Sequence, residues 1–230
     1  MKKPNEIDTK ERLLIAAVDV FGAKGFQSAT VREICQAADV NVAAVNYHFG
    51  DKEQLYATVL RYIFDHYESR RDPELSAIAN SGATPEERLR AHIKVGVKQT
   101  YDMDCDNCGK CDGTGKDECA PYSIFLMEMA HPSPYLDEVV QTYIKPDSDQ
   151  LLDILTDYFE GKASPELIGH CANSVWGQIL HQAMCWPIDV RLHGLEAAIN
   201  IAPDALAEHI FQLTLGGLRL YKEQLESNTI

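Results

Sequence analysis

Four of the seven cysteines in this 230-residue chain fall within fifteen positions, as Cys105, Cys108, Cys111 and Cys119, with two, two and seven residues between them. Thiolates so spaced can close a tetrahedron around Zn²⁺. Asp102, Asp104, Asp106, Asp112, Asp117 and Glu118 surround them against Lys110 and Lys116, a field that opposes thiolate formation unless a cation is present. Between Cys105 and Cys119 there is no apolar side chain other than cysteine, so a bound metal would supply the order that this loop cannot supply for itself. An iron–sulfur cluster is the alternative, because three closely spaced Cys and a remote fourth followed by Pro121 partly fit such ligation. Ligand chemistry favours zinc, and a reduced, metal-free loop stays open as a third reading. Calcium is disfavoured, since the EF-hand spacing is absent. The remaining cysteines, Cys35, Cys171 and Cys185, sit on apolar helical faces and read as packing residues. His170 beside Cys171 and His181 before Cys185 could hold a ligand, but ordinary helix histidines are expected.

A second group of residues suits nucleic acid. Gln27, Ser28 and Thr30 precede a short apolar-periodic run, where hydroxyl, amide and backbone N–H donors at a helix start can meet a phosphate. A tight turn then leads to a second short run in which Asn41, Ala43, Ala44 and Asn46 face one way. Val42, Val45 and Phe49 are expected to face the other. Small and polar residues early in such a helix are what entry into a DNA major groove requires. Tyr47, His48 and Lys52 follow at the junction with the next helix, placed for another phosphate.

The elements that must position these residues are helical throughout, about nine in number, with no strand pattern. The first runs from about Thr9 to Ala23, with Gly22 and Gly25 bracketing its end. Thr30 opens the second with Glu33 as capping-box partner, a third follows from Asn41, and Asp51 caps a fourth that reaches about Arg70. Asp72-Pro73 reads as a break leading into a polar segment that ends at Gly82. This gives a helix-turn-helix domain at 1–70 and a helical domain at 71–230, with a Cys-rich insertion at 102–121. Thr84-Pro85-Glu86-Glu87 and Ser164-Pro165-Glu166 start further helices. Pro146 is expected to kink the one between Tyr135 and Glu160. A helix to about Trp186 and another from Asp204 to Glu226 complete the all-α chain.

The order Phe21 to Gly25-Phe26, Thr30-Val31-Arg32-Glu33-Ile34, and Val45-Asn46-Tyr47-His48-Phe49-Gly50-Asp51-Lys52-Glu53-Gln54-Leu55 resembles the N-terminal domain of TetR-type transcriptional repressors. Asp39 departs from that pattern, which has Gly in the turn. Further along, Glu128-Met129-Ala130-His131-Pro132-Ser133-Pro134, Pro146, Ser174-Val175-Trp176-Gly177-Gln178 and Ala207-Glu208-His209-Ile210 resemble the CecR-like subgroup, in which the Cys-rich insertion has no counterpart. The Cys108–Gly115 stretch is also similar to one repeat of a DnaJ-type zinc module, which uses two. The TetR resemblance implies a regulator that binds a palindromic operator on double-stranded DNA as a homodimer through its last two helices. It further implies a small effector held in the second domain. Ala172, Val175, Ile179 and Ala183, with Leu206, Ile210, Leu213, Gly217 and Leu220, are the dimer-face candidates, with core packing inside the second domain as the alternative for each. Phe125, Met129, Trp176, His181 and Trp186 are the effector-binding candidates, mixing apolar walls with polar handles.

Composition narrows the alternatives. The formal net charge is −14, which argues against a protein that coats nucleic acid over its whole surface. Residues 1–61 carry eight basic and eight acidic side chains, so the entire excess lies beyond them. No long apolar run or leader-like segment exists, so a cytoplasmic protein without a membrane span is expected. No Walker loop, nucleophile elbow, dinucleotide fingerprint or His-Glu-x-x-His occurs, and the chain is not expected to be an enzyme. The alternative is an iron–sulfur or thiol-based electron-transfer protein, which would leave the helix-turn-helix residues without a purpose.

Overall fold

A computed structural model describes residues 8–69, 71–101, 120–194 and 202–227. Among these every regular element is helical: α1 Thr9–Ser28, α2 Val31–Ala38, α3 Ala43–His48, α4 Lys52–Ser69, α5 Pro73–Ala79, α6 Pro85–Tyr101, α7 Ala120–Ala130, α8 Leu136–Val139, a π-helical turn Val140–Ile144, α9 Lys145–Tyr158, α10 Pro165–His193 and α11 Pro203–Glu226. The all-α reading therefore holds, with more helices than the nine expected. The Cys-rich segment lies outside the described residues, and with it Cys105, Cys108, Cys111 and Cys119.

The extra helix α5 comes from the segment read as a polar break. Asp72 is both the end of one element and the cap of the next: its carboxylate accepts from the backbone N–H of Glu74 (3.1 Å) and Leu75 (3.2 Å). Pro73 stands at the first helical position, where its missing N–H costs nothing. α1 likewise runs past Ala23 to Ser28, bending at Gly25, whose φ of 74° and ψ of 163° are open to glycine. α10 continues beyond Trp186 to His193. Pro146 produces the expected irregularity, a π turn immediately before it rather than a break.

The described chain packs as two compact units. Residues up to His66 pack with those from Ala120 to Val140. Their core is built on Leu13, Ala17, Phe21, Ile34, Val45, Leu55 and Val59, all fully buried. Here α7 lies against α1 so closely that a Cβ on Gly22 would stand 2.6 Å from that of Ala120. The second unit takes in Tyr67–Met103 and Gln141 onward. α6, α9, α10 and α11 interlock there through Leu89, Ile93, Leu155, Val175, Ile210 and Phe211. Arg88 and Asp157 (2.5 Å), Lys98 and Asp72 (3.1 Å), and Arg71 and Asp147 form ion pairs around that core. Among the described residues no helix is long and apolar enough to cross a membrane.

Candidate nucleic-acid interface

The site starts with the ends of α2. Its N-terminus is closed by a reciprocal capping box: Thr30 N–H and Oγ–H donate to Glu33 Oε2 (3.0 and 2.8 Å), and Glu33 N–H donates to Thr30 Oγ1 (3.3 Å). Lys24 adds a 2.6 Å ion pair to Glu33, and together these contacts lower the Glu33 carboxyl to about 2, with Lys24 the largest cause. At the other end Asp39 adopts the left-handed conformation, φ 53° and ψ 53°. Asp39 N–H donates to the Gln36 carbonyl (3.3 Å) and Val40 N–H to the Cys35 carbonyl (3.0 Å), which is the Schellman arrangement with Asp where Gly is favoured. Arg12 on α1 holds this turn, donating from Nη2 to the carbonyls of Ala38 (2.5 Å) and Asp39 (2.8 Å). Sequence reasoning missed Arg12. Its partners lie 26 and 27 residues away, and no local pattern reports them.

α3 follows as a six-residue helix. Asn41 Oδ1 accepts from Ala43 N–H (2.9 Å) and so caps it, and Val45 is fully buried beneath it. Asn41, Ala43, Asn46 and Tyr47 are exposed, Tyr47 at 85%, and Ala44 is half-buried. Val42 corrects the expectation: it is 46% exposed, because it precedes the helix, where helical periodicity no longer fixes its direction. His48 stacks edge-on against Tyr47 with ring centroids 4.9 Å apart. Lys10 stands over the half-buried Phe49 ring at 5.8 Å.

The third part of the site joins α1 to α4. Asp51 caps α4 by accepting from Gln54 N–H (2.7 Å). Lys52 then reaches back to the Gln27 carbonyl (3.3 Å) and lies over Phe26 at 4.7 Å. Gln27, Ser28 and Thr30 are exposed beside it. The structure thus brings Gln27, Ser28, Thr30 and Lys52 together at one end of α2, and Asn41, Ala43, Asn46 and Tyr47 on the open side of α3. The Ser28 hydroxyl, the side-chain amides and the Lys52 ammonium suit phosphate oxygens and base edges, whereas both Thr30 donors are given to Glu33.

The effector candidates divide between the units. Phe125 and Met129 lie on α7 in the first, beside an apolar gap of only about 10 Å³. Trp176 and His181 lie on α10 in the second. His181 is exposed, and the side chain of Trp186 is outside the described residues. Trp176 stacks edge-on against His92 at 5.7 Å, a residue the sequence did not single out. His92 Nδ1 is 2.7 Å from Gln150 Oε1, while its buried Nε2 has no hydrogen-bond partner among the described residues. Burial lowers its pKa, so the ring is neutral and offers an unused acceptor.

The expected dimer face is also redistributed. Ala172, Val175, Ile179 and Ile210 belong to the core of the second unit, with Leu206 packed against it. Leu213 and Leu220 are 60% and 55% exposed. Leu213 and Gly217 line a groove of about 260 Å³ with Cys171, Ser174, Gln178, Thr214 and Tyr221. The apolar stripe on α10 thus points inward. Cys35 and Cys171 are buried thiols, Cys185 is half-buried and His170 is exposed. No cluster of three metal-ligating side chains occurs among the described residues.

Residues 13–59 match the family described as bacterial regulatory proteins, tetR family, and residues 114–218 match the C-terminal domain of the HTH-type transcriptional dual regulator CecR. CecR of Shigella flexneri is 45% identical over 56 residues, covering 24% of this chain and 25% of that protein. RutR of Escherichia coli K12, an HTH-type transcriptional regulator, is 23% identical over 91% of this chain and 90% of its own. Curated relatives at 33% and 34% identity are spanned over only 41% and 42% of their length. Among solved structures, AibR in complex with isovaleryl coenzyme A and operator DNA superposes with a TM-score of 0.60 at 19% identity, covering 90% of this chain and 97% of that one. That similarity shows the fold.

Proposed function

We infer, from a chain that belongs to the tetR family of bacterial regulatory proteins, that it represses transcription by binding a palindromic operator as a homodimer, with a small effector releasing it. One observation carries the DNA reading. Two short helices meet at a turn clamped by Arg12, and the second stands on buried Val45 with Asn41, Ala43, Asn46 and Tyr47 turned outward. Two copies related by a two-fold axis would present α3 to successive major grooves. Nothing in this arrangement suits a chemical reaction. A gel shift with the DNA upstream of the gene tests the reading: preference for that DNA over random sequence is expected, and equal binding to both refutes it.

The groove between α10 and α11 supports self-association. It joins exposed Leu213 and Tyr221 to Gly217 and to a buried Thr214 hydroxyl that has no partner among the described residues. A second copy of the same face would cover these groups. Replacing Leu213 with Glu should give monomers by light scattering.

For the cysteine segment the reading is a zinc site formed by Cys105, Cys108, Cys111 and Cys119, which would make the regulator answer to metal or redox state. The argument rests on the four-thiolate donor set and its acidic setting. Metal analysis should find about one zinc per chain, whereas a brown protein with visible charge-transfer absorption would assign an iron–sulfur cluster instead. The effector is a small molecule held in the second unit, for which His92 and Trp176 supply a polar acceptor and an aromatic wall. Isovaleryl coenzyme A, the ligand of the AibR structure, is the first compound to test for operator release.

A further inference from the structure

The first unit contains a cleft of about 560 Å³ that none of the preceding assignments uses. It opens where α1 bends at Gly25, and its other side is the end of α7 with the turn that follows. Phe26, Tyr56, Met127, Pro132 and Pro134 supply apolar and aromatic wall. Among the described residues the one carboxylate on its lining is Glu128, which is 4% exposed.

Glu128 is the unusual group. Its Oε1 accepts from the Tyr56 hydroxyl (2.6 Å), and its Oε2 accepts from Ser133 N–H and Oγ–H (both 3.0 Å). Burial together with Glu128 pushes the Tyr56 pKa up, which keeps that hydroxyl a donor. These three bonds orient the carboxyl group on the cleft wall. Among the described residues no Lys, Arg or His lies within ion-pair distance of Glu128. Lys24, on the same cleft, is paired with Glu33 at 2.6 Å, and Lys52 is held by the Gln27 carbonyl. A carboxylate oxygen can accept two hydrogen bonds, so Oε1 retains one free position. Removing a carboxylate from water without a counter-charge is costly, and a cation is what would offset it.

We propose that this cleft binds a small organic amine, its ammonium group on Glu128 Oε1 and its apolar body against Phe26, Tyr56 and Met127. Aromatic faces beside a buried carboxylate attract a cation by ring quadrupole and by charge together. A cleft of this volume accommodates a ligand of ten or so heavy atoms, by the usual range of about 300–1,000 Å³ for ligand pockets. The cleft also includes Gln27, which the DNA reading places at a phosphate. If that reading holds, occupancy would be felt at the operator.

The test needs no DNA, so its outcome is independent of the regulator reading. The full chain is titrated calorimetrically with 2-phenylethylamine and, in parallel, with uncharged 2-phenylethanol. The amine should bind saturably and the alcohol at least roughly tenfold more weakly. Glu128→Gln keeps the side-chain shape and should weaken the amine by at least roughly tenfold. Ala130→Trp fills the cleft from an exposed position, leaves the buried polar set intact and should abolish amine binding. Absence of amine binding, equal affinity for amine and alcohol, or full amine binding by Ala130→Trp would each overturn the proposal. If Glu128→Gln fails to fold by circular dichroism, Ala130→Trp decides alone.

Discussion

Arg12→Ala tests whether the helix-turn-helix is set by one long-range clamp. Arg12 Nη2 satisfies the carbonyls of Ala38 and Asp39 at 2.5 and 2.8 Å. A hydrogen bond from a charged donor contributes about 1.5–3 kcal/mol when shielded. The Arg12 side chain is 36% exposed, so water recovers part of that, and the two bonds together are worth about 2 kcal/mol at most. The 3.9 Å approach to the fully exposed Asp39 carboxylate adds nothing measurable. Ala returns about 0.2 kcal/mol in helix propensity. The net loss of about 1–2 kcal/mol should appear as local opening of the turn, because the amides of Asp39 and Val40 close it. Their hydrogen exchange, followed by NMR, should quicken by roughly five- to thirtyfold. Arg12→Lys, with one point donor in place of a fork, should fall between the two. If Asp39 and Val40 are as protected in Arg12→Ala as in the parent, the clamp is not what fixes the turn.

Three other outcomes follow from the same geometry. Asp39→Gly relieves the left-handed strain and should raise stability by about 0.5–1 kcal/mol, seen as a higher melting temperature. Gly22→Ala improves helix propensity by about 1 kcal/mol, yet its Cβ would meet Ala120 at 2.6 Å, so the variant should melt lower than the parent; a higher melting temperature would contradict the α1–α7 approach. The Glu33 carboxyl sits near 2 in the folded chain against 4.5 normally, so its contribution is present above pH 4.5 and lost as pH falls toward 2. The stability gap between the parent and Glu33→Gln in urea unfolding should therefore be open at pH 6 and close on acidification.

What the sequence disclosed was local. Thr30 with Glu33, Asp51, Thr84 with Glu87 and Ser164 all cap helices as their spacing implied, because the partners lie within four residues of each other. The signal at Asp72-Pro73 was real but ambiguous, since a capped Pro start and a chain break use the same residues. The α10 stripe of Ala172, Val175 and Ile179 could be assigned to a helix but not to a side of it, because periodicity gives a face without its neighbour. Arg12 on the Asp39 turn and Glu128 on Tyr56, 72 residues away, are tertiary choices that no window of sequence contains. The proposed DNA-facing set could be read as a constellation because its members lie within 26 residues. The cleft was not, because two distant segments build it.

The charge distribution sets how such a site can bind DNA. Among the described lysines and arginines of α1–α4, Lys10 lies on Phe49, Arg12 on the α2 turn, Lys24 on Glu33, Lys52 on the Gln27 carbonyl and Arg61 on Glu138. Arg32 is exposed and has no such contact among the described residues. Of these, Lys52, which has spare donors, and the exposed Arg32 are the cations that could meet phosphate without breaking a contact that holds the fold. On the proposed DNA reading, the other phosphate contacts would fall to neutral donors such as Ser28, Tyr47 and backbone N–H. Neutral donors release no counterions. With about two cations per protomer and about 0.9 counterion per neutralised phosphate, a dimer should show a log–log salt slope of about −4. Affinity measured from 50 to 200 mM salt, by the range over which such slopes are usually read, would give it. A slope of about −7 would mean that the internal pairs of Arg12 and Lys24 open on binding, and the preformed surface would not be the one that meets DNA.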